Sequence, residues 1–483
     1  MTKSVEPQQS VVRCGVARGD VTPPVGIYHR MWGAAAHDRS TGVHRPLTAT
    51  VLSIAPLELG ENPNRKLFVS IDHCLLWTAE MRTLLDRVAE RANVARDSIT
   101  VFFSHTHGAG LMGLERCELP GGDLIPQYLD DMAAEVARLV RDAMASSVPA
   151  TIGYGTGHCS LATNRDYFDV ELGGYVCGFN PDGIADDTVV VARVTSELGA
   201  TLATIVNYAC HPTTLAWDNT LISPDYVGAM REIIESSTDA PCFFIQGASG
   251  DIGPREGFVG DVAVADRNGR QLGYAALSAL EEVSPAHGRF DYAGAVVSGA
   301  TIGTWRHEPA SDVQLQRTSQ WRTAECEVDL PFRNDLPRRE ELLQNQRRWH
   351  AEEQTAIGAG DAQAAREARA MAERATRRLV RVEHLPAGDT FPYRAELWRA
   401  GDAIWIPLDG EHYNILQRSL RERFPGYTLI IGTLANGSNV WYLPDADSYG
   451  KGLYQEEASI LALGSLEKLT EALTASIQAL IAT

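Results

Sequence analysis

Two histidines separated by one residue, His105 and His107, directly follow the most strand-like stretch of the chain. Residues 99–103 are all β-branched or aromatic, as in a strand buried on both faces. Residues two apart in an extended segment point the same way, so both imidazoles should reach the space beyond the strand end, where α/β proteins often place their sites. Imidazoles suit a metal ion and a proton shuttle, although two hydrogen-bonded structural histidines would have the same spacing.

Two further predicted strands end in side chains with metal-ligand chemistry, His211 and Glu411. Two neutral imidazoles and a carboxylate are the donors of a catalytic zinc site that keeps an open position for water. The spacing alone does not decide which of Glu411, Asp409 and His412 is the ligand that follows the predicted strand 403–408. The residues therefore favour a metal site without fixing its third ligand.

The elements that position these side chains alternate between strands and helices. Strands are predicted at residues 11–21, 48–55, 66–71, 99–103, 150–154, 188–195, 202–209, 242–246, 395–399 and 403–408. Helices are predicted at residues 78–92, 124–145, 226–235 and 466–481. This alternation predicts an α/β fold of mixed, layered sheets with flanking helices.

Residues 337–382 differ in composition, being rich in Arg, Glu, Ala and Gln. Gly360 can end one helix and Asp361 can cap the next, so a helical hairpin inserted between strands is predicted. It would lie on the surface, cover the site or serve as a dimerisation arm, which leaves a homo-oligomer open. The loop at residues 28–46, rich in His and Arg, is long enough to line a site.

Composition excludes several classes of function. The 483 residues include 43 basic and 62 acidic ones, and the net charge of −19 argues against a nucleic-acid partner. No apolar run of about 18 residues indicates a membrane span, and the first ten residues have no apolar segment typical of a secretion signal. The eight cysteines form no C-x-x-C pair, which is typical of free, buried thiols and leads us to expect a cytoplasmic protein.

Two common His-x-His architectures do not fit. The metallo-β-lactamase signature continues with Asp and His, where this chain has Ala109 and Gly110. In amidohydrolase barrels the motif lies on the first strand, whereas here it follows about a hundred residues and at least three predicted strands.

Five motifs together resemble the N-terminal catalytic domain of the neutral/alkaline, non-lysosomal ceramidases. In family order they are Ser-His-Thr-His (104–107), Asn-Tyr-Ala-Cys-His-Pro-Thr (207–213), Gln-Gly-Ala-Ser-Gly-Asp-Ile-Gly-Pro (246–254), Gly-Asp-Ala-Ile-Trp-Ile-Pro-Leu-Asp-Gly-Glu (401–411) and Trp-Tyr-Leu-Pro with Leu-Tyr-Gln-Glu-Glu-Ala-Ser (441–459). The resemblance covers nearly the whole chain. It implies one catalytic domain over residues 1–483, interrupted by the 337–382 hairpin and without the family's C-terminal immunoglobulin-like domain.

The resemblance also implies a zinc site. His105, His211 and Glu411 correspond to the three zinc ligands, and Tyr442 occupies the place of the family's tyrosine ligand. A core tyrosine beside Trp441 is the alternative for Tyr442.

Three more residues take roles in the reaction by the same resemblance. His107 has the acid/base position, Arg165 matches the arginine that faces the substrate carbonyl, and Tyr454 matches a tyrosine that hydrogen-bonds the developing oxyanion. A surface ion pair is the alternative for Arg165. A serine sometimes assigned as nucleophile in the family is Gly253 here, although Ser249 lies nearby.

The sequence thus predicts a cytoplasmic, zinc-dependent hydrolase that cleaves a carbon–nitrogen amide bond with metal-activated water. The hairpin, the net charge and the polar loop at 28–46 favour a small or moderately polar amide over ceramide as the substrate. An ester, lactone or carbamate hydrolase, a true ceramidase, and a non-catalytic protein braced by zinc are the alternatives.

Overall fold

An eight-stranded sheet and a four-stranded sheet carry most of the candidate residues at their strand ends. The computed structural model describes residues 3–58 and 64–482. The strands are β1 (Ser4–Val5), β2 (Gln9–Asp20), β3 (Gly42–Val43), β4 (Thr48–Pro56), β5 (Lys66–Ile71), β6 (Ile99–Phe103), β7 (Val148–His158), β8 (Ala162–Asn164), β9 (Asp166–Asp169), β10 (Gly174–Cys177), β11 (Thr188–Ser196), β12 (Thr201–Tyr208), β13 (Leu221–Ile222), β14 (Cys242–Gln246), β15 (Ile252–Pro254), β16 (Gly288–Ser298), β17 (Ala300–Pro309), β18 (Trp321–Pro331), β19 (Thr390–Ala400), β20 (Ala403–Pro407), β21 (Glu411–His412), β22 (Thr428–Gly432) and β23 (Tyr442–Leu443).

Helices flank these strands. They are α1 (Thr78–Ala92), α2 (Ile125–Ala145), α3 (Tyr226–Thr238), α4 (Val262–Glu281), α5 (Asp312–Thr318), α6 (Arg339–Ala359), α7 (Ala362–Glu383), α8 (Ile415–Arg423), α9 (Tyr454–Ala458) and α10 (Ser465–Ile481). Short 3₁₀ turns occupy Arg96–Ser98, His107–Ala109, Leu114–Arg116, Gly122–Leu124 and Ala446–Ser448.

The larger sheet has the strand order β14-β12-β11-β7-β2-β4-β5-β6. Its two outermost pairs, β5–β6 and β12–β14, are parallel, and the pairs between them are antiparallel. Ser70 Oγ on β5 donates a hydrogen bond to the Phe244 carbonyl on β14 (2.7 Å). The two ends of the sheet therefore approach each other, and the loops that follow β6 and β12 become neighbours.

The smaller sheet, of order β18-β19-β20-β22, packs against the larger one. Phe68 of β5 stacks on Trp405 of β20, with ring centroids 4.7 Å apart. Gly432 at the end of β22 sits so close to Phe102 and Ile245 that a Cβ there would lie 2.4 Å and 2.8 Å from their side-chain atoms. Glycine at this position lets β22 lie across the junction of β6 and β14.

Alternation along β6 explains why it is buried on both faces. Val101 and Phe103 belong to the core that also contains side chains of α1 and α2, such as Leu84 and Leu139. Phe102, between them, belongs to the core formed with the smaller sheet. Helices α3 and α4 form a third core against β12 and β14. Each layer covers one face of a sheet, as the period-2 pattern requires.

The stretch at 339–383 forms two antiparallel helices. Contacts between α6 and α7 run in opposite order along the two helices: Arg339 with Glu383, Gln346 with Thr376 and Glu353 with Arg369. Glu373 is one of the α7 residues that connect the two helices to the rest of the protein. The buried carboxylate of Glu373 accepts hydrogen bonds from Tyr28 Oη (2.6 Å) and from Arg116 Nη2 (3.0 Å).

The predicted mixed α/β fold is confirmed. Helix α4 and strands β16, β17 and β18 had no counterpart in the predicted elements. Of the helices in the described ranges, none combines the length and the apolar character needed to cross a lipid bilayer.

Candidate metal centre and active site

Three buried side chains from distant parts of the sequence meet at adjoining strand ends. Glu411 Oε2 lies 3.2 Å from His105 Nε2 and 3.0 Å from His211 Nε2. The three potential ligand atoms lie within 4.8 Å of one another, and all three residues are buried. Two imidazoles and a carboxylate that converge in this way are a donor set suited to zinc.

Backbone carbonyls orient both imidazoles of the cluster. The Nδ1 atom of His105 is 2.9 Å from the Cys74 carbonyl, and that of His211 is 2.6 Å from the Ser249 carbonyl. Because a carbonyl can only accept, each Nδ1 carries a proton, and each Nε2 faces the cluster as the nitrogen available to a metal ion. Such second hydrogen bonds are how proteins fix metal-binding histidines.

The choice among three residues near 411 follows from their contacts. Asp409 accepts hydrogen bonds from the backbone and side chain of Asn439 (2.7 and 2.6 Å). His412 Nε2 lies 3.2 Å from the Tyr393 hydroxyl. Only the Glu411 carboxylate, among these three, lies beside the two imidazoles.

A second group of possible ligands shares one histidine with this cluster. Cys74, His105 and His107 also lie within metal-binding distance of one another. The Cys74 thiol, however, approaches His105 through Nδ1 (3.6 Å), the nitrogen already bonded to the Cys74 carbonyl. The set with His211 and Glu411 therefore fits a metal ion better.

The conformation of the 104–107 stretch differs from the prediction. The backbone at His105 is left-handed, with φ of 67°, and a 3₁₀ turn begins at His107. The expectation that the two histidines lie on one extended segment is thus wrong, because the chain turns sharply at His105. Their rings are nevertheless adjacent, with centroids 5.0 Å apart. Such strain in a non-glycine residue is typical of functional sites.

His107 lies beside the cluster without contributing to its hydrogen bonds. Among the described residues, neither of its ring nitrogens has a hydrogen-bond partner. Its ring stacks on Trp32, with centroids 5.1 Å apart, which places the 28–46 loop against the site. Burial, followed by repulsion from His105 and His211, lowers the pKa of His107 well below its usual value, so the ring is neutral near pH 7.

Charge is balanced within the cluster. Burial favours the neutral form of Glu411, but His105 and His211 lower the pKa of this carboxyl group well below its usual range. Burial, together with the charge of Arg165, lowers the pKa of His211 to about 3. Burial also opposes a charge on His105, yet Cys74 and Glu411 raise its pKa above the ordinary value. A cation bound here would take the place of that proton.

Tyr442 reaches the cluster because β21 and β23 pair in parallel, with Glu411 and Tyr442 in register. Its hydroxyl is 3.3 Å from His211 Nε2. Burial raises the pKa of this hydroxyl well above its usual value. The side chain is buried, as a core tyrosine would be, but its polar end faces the candidate ligands.

Arg165 is buried and makes no ion pair with any described residue, which argues against the surface ion pair considered as an alternative. Its Nη2 donates to the Gly250 carbonyl (2.7 Å) and to the Tyr442 hydroxyl (3.2 Å). Tyr454 packs edge-on against Tyr442, with ring centroids 5.7 Å apart, and remains 47% exposed. Both residues therefore border the cluster, Arg165 from within and Tyr454 from the accessible side.

The two positions considered for a serine nucleophile differ in their surroundings. Ser249 is buried, and its Oγ lies 2.6 Å from Gln246 Nε2. A Cβ at Gly253 would lie 3.7 Å from Thr213 Oγ1 and 3.8 Å from Arg165 Cδ. Position 253 thus adjoins the site, and in this chain it offers no side chain there.

Two residues at the site were not singled out by the sequence, Trp32 and Cys74. No local pattern marks them, since a stacking contact and a backbone carbonyl acceptor depend on the tertiary fold. Two histidines of the 28–46 loop have hydrogen-bond partners outside the cluster: His29 Nε2 lies 2.9 Å from the Gly108 carbonyl, and His44 Nδ1 lies 2.9 Å from Ser223 Oγ.

Comparison with known proteins identifies the class to which this fold and site belong. The chain matches the model for the N-terminal part of neutral/alkaline non-lysosomal ceramidases over residues 12–259. It belongs to that family and is related to hydrolases that act on an amide bond.

Solved structures agree with the family assignment at the level of the fold. A neutral ceramidase from Pseudomonas aeruginosa is 14% identical with a TM-score of 0.61, over 98% of this chain and 75% of the other. A ceramidase complexed with C2 is 15% identical, with the same TM-score and coverage. No curated protein matches the sequence.

Proposed function

We propose that this chain is a zinc-dependent hydrolase of the cytoplasm that cleaves a carbon–nitrogen amide bond. The observation that carries the proposal is the convergence of His105, His211 and Glu411 in a member of the ceramidase family. The eight cysteines are free, and six of them are buried, whereas Cys117 is partly exposed and Cys177 is exposed. Free thiols are typical of a reducing compartment.

His105, His211 and Glu411 are the proposed ligands, with Tyr442 as a fourth residue close enough to bind. A zinc ion held by these residues would act as a Lewis acid and would lower the pKa of a water molecule, so that water could serve as the nucleophile near neutral pH. The carboxylate of Glu411 offsets part of the added positive charge. The hydrogen bonds from Nδ1 to backbone carbonyls would hold Nε2 of both imidazoles toward such an ion.

His107 is the proposed general base and acid. Its neutral ring can remove a proton from the attacking water and then deliver it to the leaving amine. Support comes from its two unpartnered ring nitrogens and from its position next to His105. Stacking on Trp32 holds the ring in place during both transfers.

Arg165 and Tyr454 are the proposed donors to the negative oxygen that develops on the attacked carbonyl. Donors fixed before the reaction cost no reorganisation when that charge forms. Arg165 is fixed by its bond to the Gly250 carbonyl, and its positive charge suits an oxyanion. The products are a carboxylate and an amine.

A small or moderately polar amide is the proposed substrate, with ceramide as the second candidate. Ceramide is favoured by the family and by the solved relatives. The net charge of −19, which an anionic lipid surface would repel, and the polar loop at 28–46 favour a water-borne substrate. Ester, lactone or carbamate cleavage would use the same residues.

One experiment separates these possibilities. The purified protein is analysed for bound metal and assayed on aryl amides, short N-acyl amines, matched esters and long-chain ceramide in detergent. We expect metal-dependent amide turnover that exceeds ceramide turnover. Ceramide turnover tenfold above every other amide would overturn the substrate proposal and leave the site proposal intact.

Ser249→Ala is the matched control for the mechanism. Because Ser249 Oγ is bonded to Gln246 and lies outside the cluster, this variant should keep its activity to within about threefold. An acyl group trapped on Ser249 would replace the proposed mechanism with a covalent one.

A further inference from the structure

A cavity of about 550 Å³ lies between helix α7 and the body of the protein, next to the candidate active site. Gly33 and Ala34 form part of one wall, directly after the Trp32 that stacks on His107. Tyr454, whose ring contacts Tyr442, also lines it. The cavity therefore borders residues that contact the side chains around the metal cluster.

Helix α7 supplies arginines to the cavity wall. They are Arg366, Arg374, Arg377 and Arg381. Beside them lie small or flexible apolar side chains, among them Ala370 and Met371. The cavity thus combines apolar surface with four arginines, against three glutamates in the same wall.

The acidic residues of the same wall already have partners. Glu457 is bonded to Arg374 (2.6 Å) and to Arg378. Glu373 accepts hydrogen bonds from Tyr28 and Arg116. These two carboxylates hold the helix in place, and in the described ranges neither forms an ion pair with Arg381. The third acid of the wall, Glu367, accepts a hydrogen bond from Gln363 Nε2 (3.1 Å).

Arg381 is the buried arginine of this wall, and it has no counter-ion among the described residues. Only 8% of the residue is exposed, yet in the described ranges it makes no ion pair and no hydrogen bond, and its buried Nε has no acceptor. Its guanidinium lies over the ring of Trp441, 4.8 Å from the centroid. Stacking uses the face of a guanidinium and leaves the N–H groups at its edge free to donate.

Arg377, one helical turn before Arg381, adds to the positive charge. Its Nη2 donates to the Met31 carbonyl, its Nε has no acceptor among the described residues, and it makes no ion pair in that part of the chain. Arg377 is partly exposed and feels the charge of Glu373, whereas Arg381 is buried. A buried, unpaired charge is costly, so Arg381 is expected to meet an anionic group that comes from outside the chain.

We propose that Arg381, assisted by Arg377, binds a carboxylate of the substrate, so that the preferred substrates are amides that also carry a carboxylate. This inference rests on the proposed amide hydrolysis and names its substrate class. A planar, bidentate carboxylate matches the free edge of a guanidinium, and the apolar part of the wall accommodates a short carbon chain beside it.

Matched pairs of amides test the proposal. In one arm the carboxylate is on the amine side, with N-butyrylglycine against N-butyrylethanolamine. In the other it is on the acyl side, with succinyl anilide against butyryl anilide. Wild-type protein should prefer the charged member of at least one pair by about tenfold or more in kcat/KM.

Arg381→Gln should reduce the preference for the charged substrate by about 10- to 100-fold. The kcat/KM for the neutral substrate should change by less than about threefold. Arg381→Lys should restore part of the preference. Arg348→Gln, an exposed position on α6 with the same change of charge, is the matched control and should leave the preference unchanged. Should Arg381→Gln not fold, Arg377→Gln takes its place.

Binding is measured in parallel, as the thermal shift produced by N-butyrylglycine and by succinyl anilide on the wild type and on the same variants. Absence of turnover in all arms would overturn the proposed function, and an Arg381-dependent shift would still support the anion site. Neutral and charged substrates turned over equally, or an unchanged preference in Arg381→Gln, would overturn the inference alone.

Discussion

His105, His211, Glu411 and Tyr442 come from four separate stretches of the chain, whereas Arg339–Ala359 and Ala362–Glu383 form one continuous hairpin. The first group is held by backbone carbonyls and by strand pairing. The hairpin is held by ion pairs and hydrogen bonds between side chains and by buried apolar residues such as Leu342 and Leu379.

This difference separates two tasks. Backbone contacts at strand ends fix a few side chains precisely, which a reaction requires. A hairpin attached through side chains can change its inner face without disturbing the strands beneath it. We therefore expect changes in the cluster to remove the chemistry and changes in the hairpin to alter selectivity or stability.

The largest effect is expected for His211→Ala, with His105→Ala as its counterpart. Loss of either imidazole removes a ligand and leaves the buried Glu411 carboxylate without one of its partners. Both variants should lose bound metal together with nearly all amide turnover, as measured by metal analysis and initial rates. If the His211→Ala variant kept the wild-type metal content and full activity, His211 would not be a metal ligand.

His107→Ala should lower kcat by about 10²–10⁴-fold while the metal content stays at the wild-type level. The ring is proposed to transfer protons and not to bind the ion. Trp32→Leu is a useful companion, since it removes the stacking partner but keeps the histidine. Equal turnover in His107→Ala and wild type would assign the proton transfer elsewhere.

The strands and helices predicted most accurately are those with both an apolar pattern and clear end signals. Strand β6 and helix α1 have the predicted bounds. Helix α4 escaped prediction because Gly269 and Gly273 weaken its helical pattern. The structure explains these glycines, since a Cβ at 269 would lie 2.2 Å from the Tyr226 carbonyl of α3.

A site residue could be predicted only where it followed the end of a predicted strand or where it lay in a motif of the family. His105 and His211 satisfy both conditions, whereas Glu411 needed the motif to separate it from Asp409. The left-handed turn at His105 and the stacking of Arg381 on Trp441 depend on tertiary contacts, which no local pattern encodes. The catalytic roles themselves stay predictions.

Tyr454→Phe should lower kcat by about 10²-fold, at the lower end of the range for loss of one oxyanion donor. The ring and its contact with Tyr442 remain, so the metal content and the melting temperature should not change. Comparison of kcat with KM is the measurement. A change confined to KM would mean that Tyr454 binds substrate without stabilising the oxyanion.

Glu373→Gln should mainly weaken the attachment of the hairpin. Although burial opposes its charge, Arg116 and Arg377 lower the pKa of Glu373 to about 2. Above pH 4.5 the ionised carboxylate therefore adds up to about 3 kcal/mol to the free energy of unfolding. This contribution is lost as the pH falls toward 2.

Unfolding followed from pH 7 to pH 2 should show a steeper loss of stability in the wild type than in Glu373→Gln between pH 4.5 and 2. Glu352→Gln, on the exposed side of α6, is the control and should behave as the wild type. Identical pH profiles for wild type and Glu373→Gln would mean that this carboxylate does not anchor the hairpin.

The most direct test of the central claim is to remove the metal and return it. The protein is freed of metal with a chelator, assayed on a hydrolysed amide, and titrated with zinc while bound metal and rate are both recorded. We predict no activity without metal and recovery that saturates at one zinc per chain, with neither binding nor recovery in His211→Ala. Full amide turnover by the metal-free protein would contradict the account.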